Sequence, residues 1–173
     1  MRGVVEQPNG SVGARIGDPR EGNSEQDTRA TGAQMAWLKR DLAAHPNRCT
    51  LAITHRPRFS TGLAGNTAAM KPFFAALVAA RAELLISGHN HDYERFAAQT
   101  ASGAASRQGV VQLVAGTGGK SVTGWDLTTA NTAARSAHGF GWLRLTLHPT
   151  SASLRYIPVG QNTFTDQADV NCH

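Results

Sequence analysis

Leu84-Leu85-Ile86-Ser87-Gly88-His89-Asn90-His91-Asp92-Tyr93-Glu94-Arg95 is the stretch on which the fold turns. An apolar run ends in a glycine, and two histidines follow with one residue between them. The run reads as a short buried strand, and Gly88 lets the backbone turn sharply at its C-terminal end. Open α/β sheets place ligands beyond such strand ends. Two imidazoles held there by a tight turn can be aimed at one centre or at two adjacent ones. The stretch therefore reads as the metal-binding corner of a hydrolase, with the remaining chain as its support.

Upstream, Met70, Phe73, Phe74, Leu77 and Val78 recur at helical spacing, and Pro72 is tolerable only in a first turn, so a core-facing helix starts near Lys71. Before it, Cys49 to Thr54 is a short apolar strand that ends at His55, and Arg56 to Gly62 is a loop by its proline and glycine. Further back, Thr31-Gly32-Ala33-Gln34 fits a capping box for a helix carrying Met35, Leu38 and Leu42, which runs to about Ala44 and stops before Pro46. The middle of the chain thus reads helix, strand, helix, strand. That spacing suits a βαβ connection, with His55 and His89 at the same end of neighbouring parallel strands. Residues 1 to about 30 show almost no apolar periodicity and read as loop or disorder.

Downstream, a Gly/Ala/Ser-rich loop around Thr100 to Ser106 precedes the strand Val110 to Ala115, which ends in the glycine turn Gly116-Thr117-Gly118-Gly119. Residues 120 to 138 have weak periodicity and read as an insertion loop. Leu143, Leu145 and Leu147 alternate with Arg144 and Thr146, and Pro149-Thr150 turns this half-buried strand into Ser153 to Pro158, a closing antiparallel hairpin. Helix-linked strands followed by antiparallel ones predict a mixed α/β domain over residues 31–173.

With 173 residues the chain suffices for one domain with a real core or for a piece of a larger one. No apolar run approaches the roughly 20 residues of a membrane span, and Met1 to Gly10 lacks the apolar segment of a signal peptide. The formal charge of +5 is spread over scattered arginines with few aromatics, which fits a solvated surface and not a nucleic-acid interface. Cys49 and Cys172 lie in no C-x-x-C, which argues against a cysteine zinc site. Two readings of them stand: a disulfide tying the tail to a strand start, or one buried thiol and one tail thiol.

His55, His89 and His91 all sit directly past strand ends. Neutral imidazole is the commonest transition-metal ligand, and histidines grouped around an open position suit a hydrolytic metal. His45, His138, His148 and His173 fall in loops or on strand surfaces.

The strings Thr54-His55-Arg56-Pro57-Arg58-Phe59-Ser60, Gly88-His89-Asn90-His91-Asp92-Tyr93-Glu94-Arg95-Phe96 and Gly116-Thr117-Gly118-Gly119 together resemble the C-terminal half of the calcineurin-like metallophosphoesterases, in their bacterial, purple-acid-phosphatase-like branch. Gln34 to Leu42, and Phe164-Thr165-Asp166 to Cys172-His173, also resemble that branch. The resemblance implies a phosphoesterase that hydrolyses phosphate esters at a two-metal centre (Zn, Fe or Mn), in a sandwich of two mixed sheets flanked by helices. By motif, His55 and His89 would bind one metal and His91 the other, with Asp92, Tyr93 and Glu94 as supporting residues around the turn. Relatives in this branch are often exported.

The departures are equally plain. The family's Asp-x-His, Gly-Asp-x-x-Asp and Gly-Asn-His motifs, which supply a bridging carboxylate, an amide ligand and a histidine near the leaving group, are missing. Gly17-Asp18-Pro19-Arg20-Glu21 and Gly22-Asn23-Ser24 only approximate two of them, and Leu63-Ala64 stands where the branch tends to carry a histidine. The expectation is a C-terminal piece of such an enzyme, binding one metal weakly or none and turning over little by itself. The alternative is an inactive truncated or split remnant, completed by a chain carrying the missing half. Other metallohydrolases fit less well: the metallo-β-lactamase pattern wants His-x-His-x-Asp-His, and here Tyr93 and Glu94 fill the last two positions. Amidohydrolases place their His-x-His on the first strand.

Overall fold

The computed structural model describes residues 12–16, 32–125 and 129–173. Its strands are β1 (Val12–Ile16), β2 (Cys49–Ile53), β3 (Leu84–Ser87), β4 (Tyr93–Gln99), β5 (Val110–Ala115), β6 (Thr132–Ser136), β7 (Gly141–His148), β8 (Ser151–Pro158) and β9 (Asp166–Asn171). The helices are α1 (Ala33–Ala44) and α2 (Lys71–Ala79), the latter entered through a 3-10 turn at Ala68–Met70. One mixed sheet has the order β1-β2-β3-β5-β4-β6, and a second, antiparallel sheet has the order β7-β8-β9. The expected mixed α/β, two-sheet architecture is therefore present.

β1, β2, β3 and β5 run parallel, with Leu51 opposite Leu84 and Leu84 opposite Val111. Successive strand residues point to opposite faces, and in β2, β3 and β5 both faces are covered, so these strands are largely apolar without alternation. Leu85 joins Met35, Leu38, Phe73, Phe74 and Leu77 in the core between helices and sheet. Its neighbour Leu84 joins Leu51, Tyr93, Leu113, Leu154 and Tyr156 in the core between the sheets.

Several expectations need correction. Residues 1 to about 30, read as loop or disorder, include β1, which pairs in parallel with β2 from Val12↔Cys49 to Ile16↔Ile53. Backbone pairing to an already built neighbour is what makes so short a segment a strand. The near-motifs at residues 17–24 lie outside the described residues, as does Thr31. Helix α1 is capped at Gly32, with no side-chain cap bond. The expected insertion loop contains β6, antiparallel to β4 through Tyr93↔Ser136 and Arg95↔Ala134. The closing hairpin gains a third strand, β9, whose sequence Asp-Gln-Ala-Asp-Val-Asn lacks the composition of a strand. It is held by pairing to β8, from Tyr156↔Asp166 to Ser151↔Asn171.

The two sheets are fastened by β4. Tyr93 and Arg95, two residues apart, face the second sheet. Tyr93 packs on Tyr156 and Phe164, with ring centroids 4.4 and 5.8 Å away. The Tyr93 hydroxyl donates to Asp166 Oδ2 at 2.7 Å, and Arg95 donates from Nε and Nη2 to the same carboxylate at 2.7 and 2.9 Å. Burial pushes the Asp166 carboxyl up, but these hydrogen bonds and the guanidinium charge outweigh it and hold the group below its ordinary value. A lowered carboxyl contributes stability that is complete above its unfolded value, about pH 4, and is lost as pH falls through the folded one. Asp166→Asn is expected to cost about 2–3 kcal/mol at pH 7 and to flatten the acid limb of the stability profile below about pH 4, measured by denaturant melts across pH.

Of the two readings of the cysteines, the disulfide is the one found: Cys49 and Cys172 are bonded with Cα atoms 5.2 Å apart. The bridge joins the start of β2 to the tail after β9, across 123 residues. Beside it Glu83 accepts from Thr50 N at 2.6 Å and from His173 N at 3.2 Å. Cys172→Ser is expected to lower stability by up to about 4–5 kcal/mol in the chain-entropy model, read as a drop in melting temperature that reductant reproduces in the parent chain.

Candidate metal centre

The sequence-predicted histidines come from two adjacent strand exits. Pairing continues past the strands: Thr54 N donates to Ile86 O at 3.0 Å and Gly88 N to His55 O at 3.1 Å. This fixes the His55 and Gly88-His89 turns side by side. His89 adopts φ +69°, a left-handed conformation rare outside glycine and asparagine. Its ring meets that of His55 nearly edge-on, with centroids 5.1 Å apart and planes at 82°.

His89 Nδ1 lies 3.2 Å from His55 Nε2. Two nitrogens each about 2.0–2.1 Å from a tetrahedral zinc ion are about 3.3 Å apart, so the pair fits two ligands of one metal. Burial first, then the positive charges of Arg56, His55 and His91, push the His89 imidazole below its ordinary value. That favours the neutral form a metal requires.

His91 is directed elsewhere. Its Nδ1 lies 3.0 Å from Ser121 O, an atom that only accepts, so Nδ1 is the donor and Nε2 is the ring nitrogen left to face a metal. Thr123 N donates to His91 O at 3.0 Å, wrapping the 121–123 segment around the histidine. Among the described residues, no group of three or more His, Cys, Asp or Glu side chains converges as a metal cage. The structure thus brings His55 and His89 together, sets His91 nearby with its own partner, and leaves the other ligands unsupplied by the described residues.

Behind the histidines lies a buried polar frame that the sequence reading treated only as support. Glu94 sits in β4, not in the turn, and is fully buried. Its carboxylate accepts from the Ser60 hydroxyl, from Thr61 N at 2.8 Å and from the Thr61 hydroxyl at 2.5 Å. Asn90, between the two histidines, donates to Ser60 Oγ and accepts from Ala64 N at 3.1 Å. Gln112 in β5 accepts from Arg58 N at 3.0 Å and Phe59 N at 3.1 Å. The loop after β2 is thereby bolted to the His-x-His turn and to β4 and β5. A buried amide inside the apolar run Val110-Val111-Gln112-Leu113-Val114 was the signal for the last of these anchors. Gly116 is required for space: a Cβ there would fall 1.7 Å from Asn90 O. Asp92 is fully buried with neither carboxylate oxygen bonded, and burial, then the Glu94 charge, raise it to about 7. Glu94→Ala is expected to cost about 2–4 kcal/mol and to speed amide hydrogen exchange across residues 58–64 more than elsewhere.

No protein-family model matches the chain, and no curated protein matches it by sequence. Its fold is similar to that of a purple acid phosphatase from yellow lupin (Lupinus luteus) seeds, with a TM-score of 0.75 at 17% identity, over 84% of this chain and 29% of the lupin chain. It is also similar to GAP50, the anchor in the inner membrane complex of Plasmodium, with a TM-score of 0.61 at 17% identity, over 81% of this chain and 43% of that one. The chain spans less than half the length of either. At such identity the likeness shows the fold: this is a phosphatase-like α/β sandwich.

Proposed function

We propose that the chain carries part of the metal site of a phosphate-ester hydrolase, with His55 and His89 as ligands of one metal and His91 as a ligand of a second. The observation that carries this reading is the 3.2 Å approach of His89 Nδ1 and His55 Nε2 past the ends of neighbouring parallel strands. The likeness of fold to a purple acid phosphatase supports it. Zinc, iron and manganese all accept imidazole, so the donors do not select among them. A metal bound there would polarise a phosphoryl oxygen and generate hydroxide at neutral pH. The protein's own part is to hold His89 neutral, to fix the His91 tautomer through Ser121 O, and to keep the loop after β2 rigid through Glu94, Asn90 and Gln112.

The absence of a third side chain beside the pair, among the described residues, favours a second reading of the same site. In it the chain is inactive alone and works only with a polypeptide that contributes carboxylate ligands. Without such negative charge, two adjacent cations repel one another and His91 holds its metal alone.

The test is calorimetric titration with zinc, backed by the visible spectrum of the cobalt form and a phosphomonoester assay. One weak site per chain is expected, weakened about tenfold or more by His55→Ala or His89→Ala, with negligible turnover. No binding at any concentration, or binding indifferent to both substitutions, sinks the assignment of the pair. Two tight metals with brisk hydrolysis would show that the site is complete in this chain.

A further inference from the structure

The glycine turn after β5 supplies no ligand to the histidine pair, yet it stands beside it. In the first sheet β2, β3 and β5 are neighbours and run parallel. Their C-terminal ends therefore deliver His55, the His-x-His turn and Gly116-Thr117-Gly118-Gly119-Lys120-Ser121 to one end of the sheet. That end is where parallel sheets bind ligands. The turn is pinned on both sides. Gly116 N donates to Asp92 O at 2.9 Å, and the Thr117 hydroxyl donates to Gly141 O at 3.1 Å. Beyond the tip, Ser121 O bonds His91 Nδ1 at 3.0 Å, and Thr123 N donates to His91 O at 3.0 Å.

Between these anchors the tip leaves its own polar groups unused. Gly118, Gly119, Lys120 and Ser121 are all exposed, and among the described residues none of their N–H groups finds an acceptor. A Cβ built on Gly118 or Gly119 would meet nothing within 4 Å, so open space lies over the backbone. Gly119 has φ +142°, a conformation that side chains rarely adopt, so the turn itself keeps the backbone bare there. Successive N–H groups left unbonded in a glycine-rich bend attract anions. Lys120 adds a full positive charge at the tip and makes no ion pair among the described residues. Arg56, whose charge reaches His89, makes the same end of the sheet more positive.

We propose that Gly118-Gly119-Lys120-Ser121 is a phosphoryl-binding loop, its backbone N–H groups and the Lys120 ammonium taking the anionic oxygens of a phosphate ester or of free phosphate. A phosphoryl group suits it because the loop offers several N–H donors and a point charge within four residues. The loop touches His91 at Nδ1 and leaves Nε2 to a metal, so it holds phosphoryl oxygens that a metal does not. Its place in ester hydrolysis rests on the metal-site reading above. Its binding of phosphate needs no metal.

The test is an amide NMR titration of the full, metal-free chain with inorganic phosphate at constant ionic strength. Saturable shifts centred on residues 118–121 are expected. Lys120→Ala is expected to weaken binding about fivefold or more, and Lys120→Arg to keep it within about twofold. Lys39, Lys71 and Lys120 are the chain's lysines, so phosphate is also expected to slow acylation of Lys120 and to leave the other two unchanged, read by mass spectrometry. Phenyl phosphate is expected to give the same shifts, because the loop reads the phosphoryl group alone. Shifts spread over the surface, equal shifts with chloride, or binding indifferent to Lys120→Ala overturn the proposal. Phosphate bound with phenyl phosphate excluded overturns the loop's place in ester hydrolysis. Zinc titration keeps the two readings apart: Lys120→Ala is expected to leave it unchanged, and a loop that fails while His55 and His89 still bind zinc overturns this proposal alone.

Discussion

Burying a carboxylate costs least when its oxygens are hydrogen-bonded, and Glu94, unlike the equally buried Asp92, is satisfied by a single short segment, Ser60-Thr61. That constraint governs the site. It ties the loop leaving β2 to the strand leaving the His-x-His turn, so that His55 and His89 approach from different strands and still meet at hydrogen-bond distance. Burial of unbonded charge would cost several kcal/mol, which makes the loop's position close to obligatory. Asn90 completes the lock from between the histidines, bonding both Ser60 and Ala64.

The alternation of β4 divides its residues between two tasks. Tyr93 and Arg95 point into the second sheet and hold Asp166; Glu94 points the other way and holds the loop. One strand therefore sets both the stacking of the sheets and the rigidity of the site. A shift of its register by one residue would exchange the two sets of side chains and undo both. The disulfide, at the opposite end of β2, secures the tail of β9 and leaves the histidine end free of covalent restraint.

Legibility in the sequence tracked the origin of each element's stability. α1, α2, β2, β3 and β5 carry their own apolar pattern, and the expected spans lie within a residue or so of those observed. β1, β6 and β9 do not: Asp166 to Asn171 is polar, and Thr132 to Ser136 is weakly patterned. Their strand form comes from a neighbouring edge already in place, a cause no local window contains. Helix α1 starts after Gly32 without a side-chain cap bond, while Thr31 itself lies outside the described residues.

By itself the sequence determined the class of fold and the identity of the three histidines at strand ends, because apolar runs, a glycine turn and imidazoles are local chemistry. It also left the cysteines with two readings. Only the tertiary structure decided that they pair, that His55 and His89 converge while His91 bonds Ser121 O, and that Glu94 and Gln112 are loop anchors. Each of these is a contact between segments far apart in the chain, whose distance is set by sheet order and register. Periodicity reports which side of a strand a residue occupies, and not what the folded chain brings to that side.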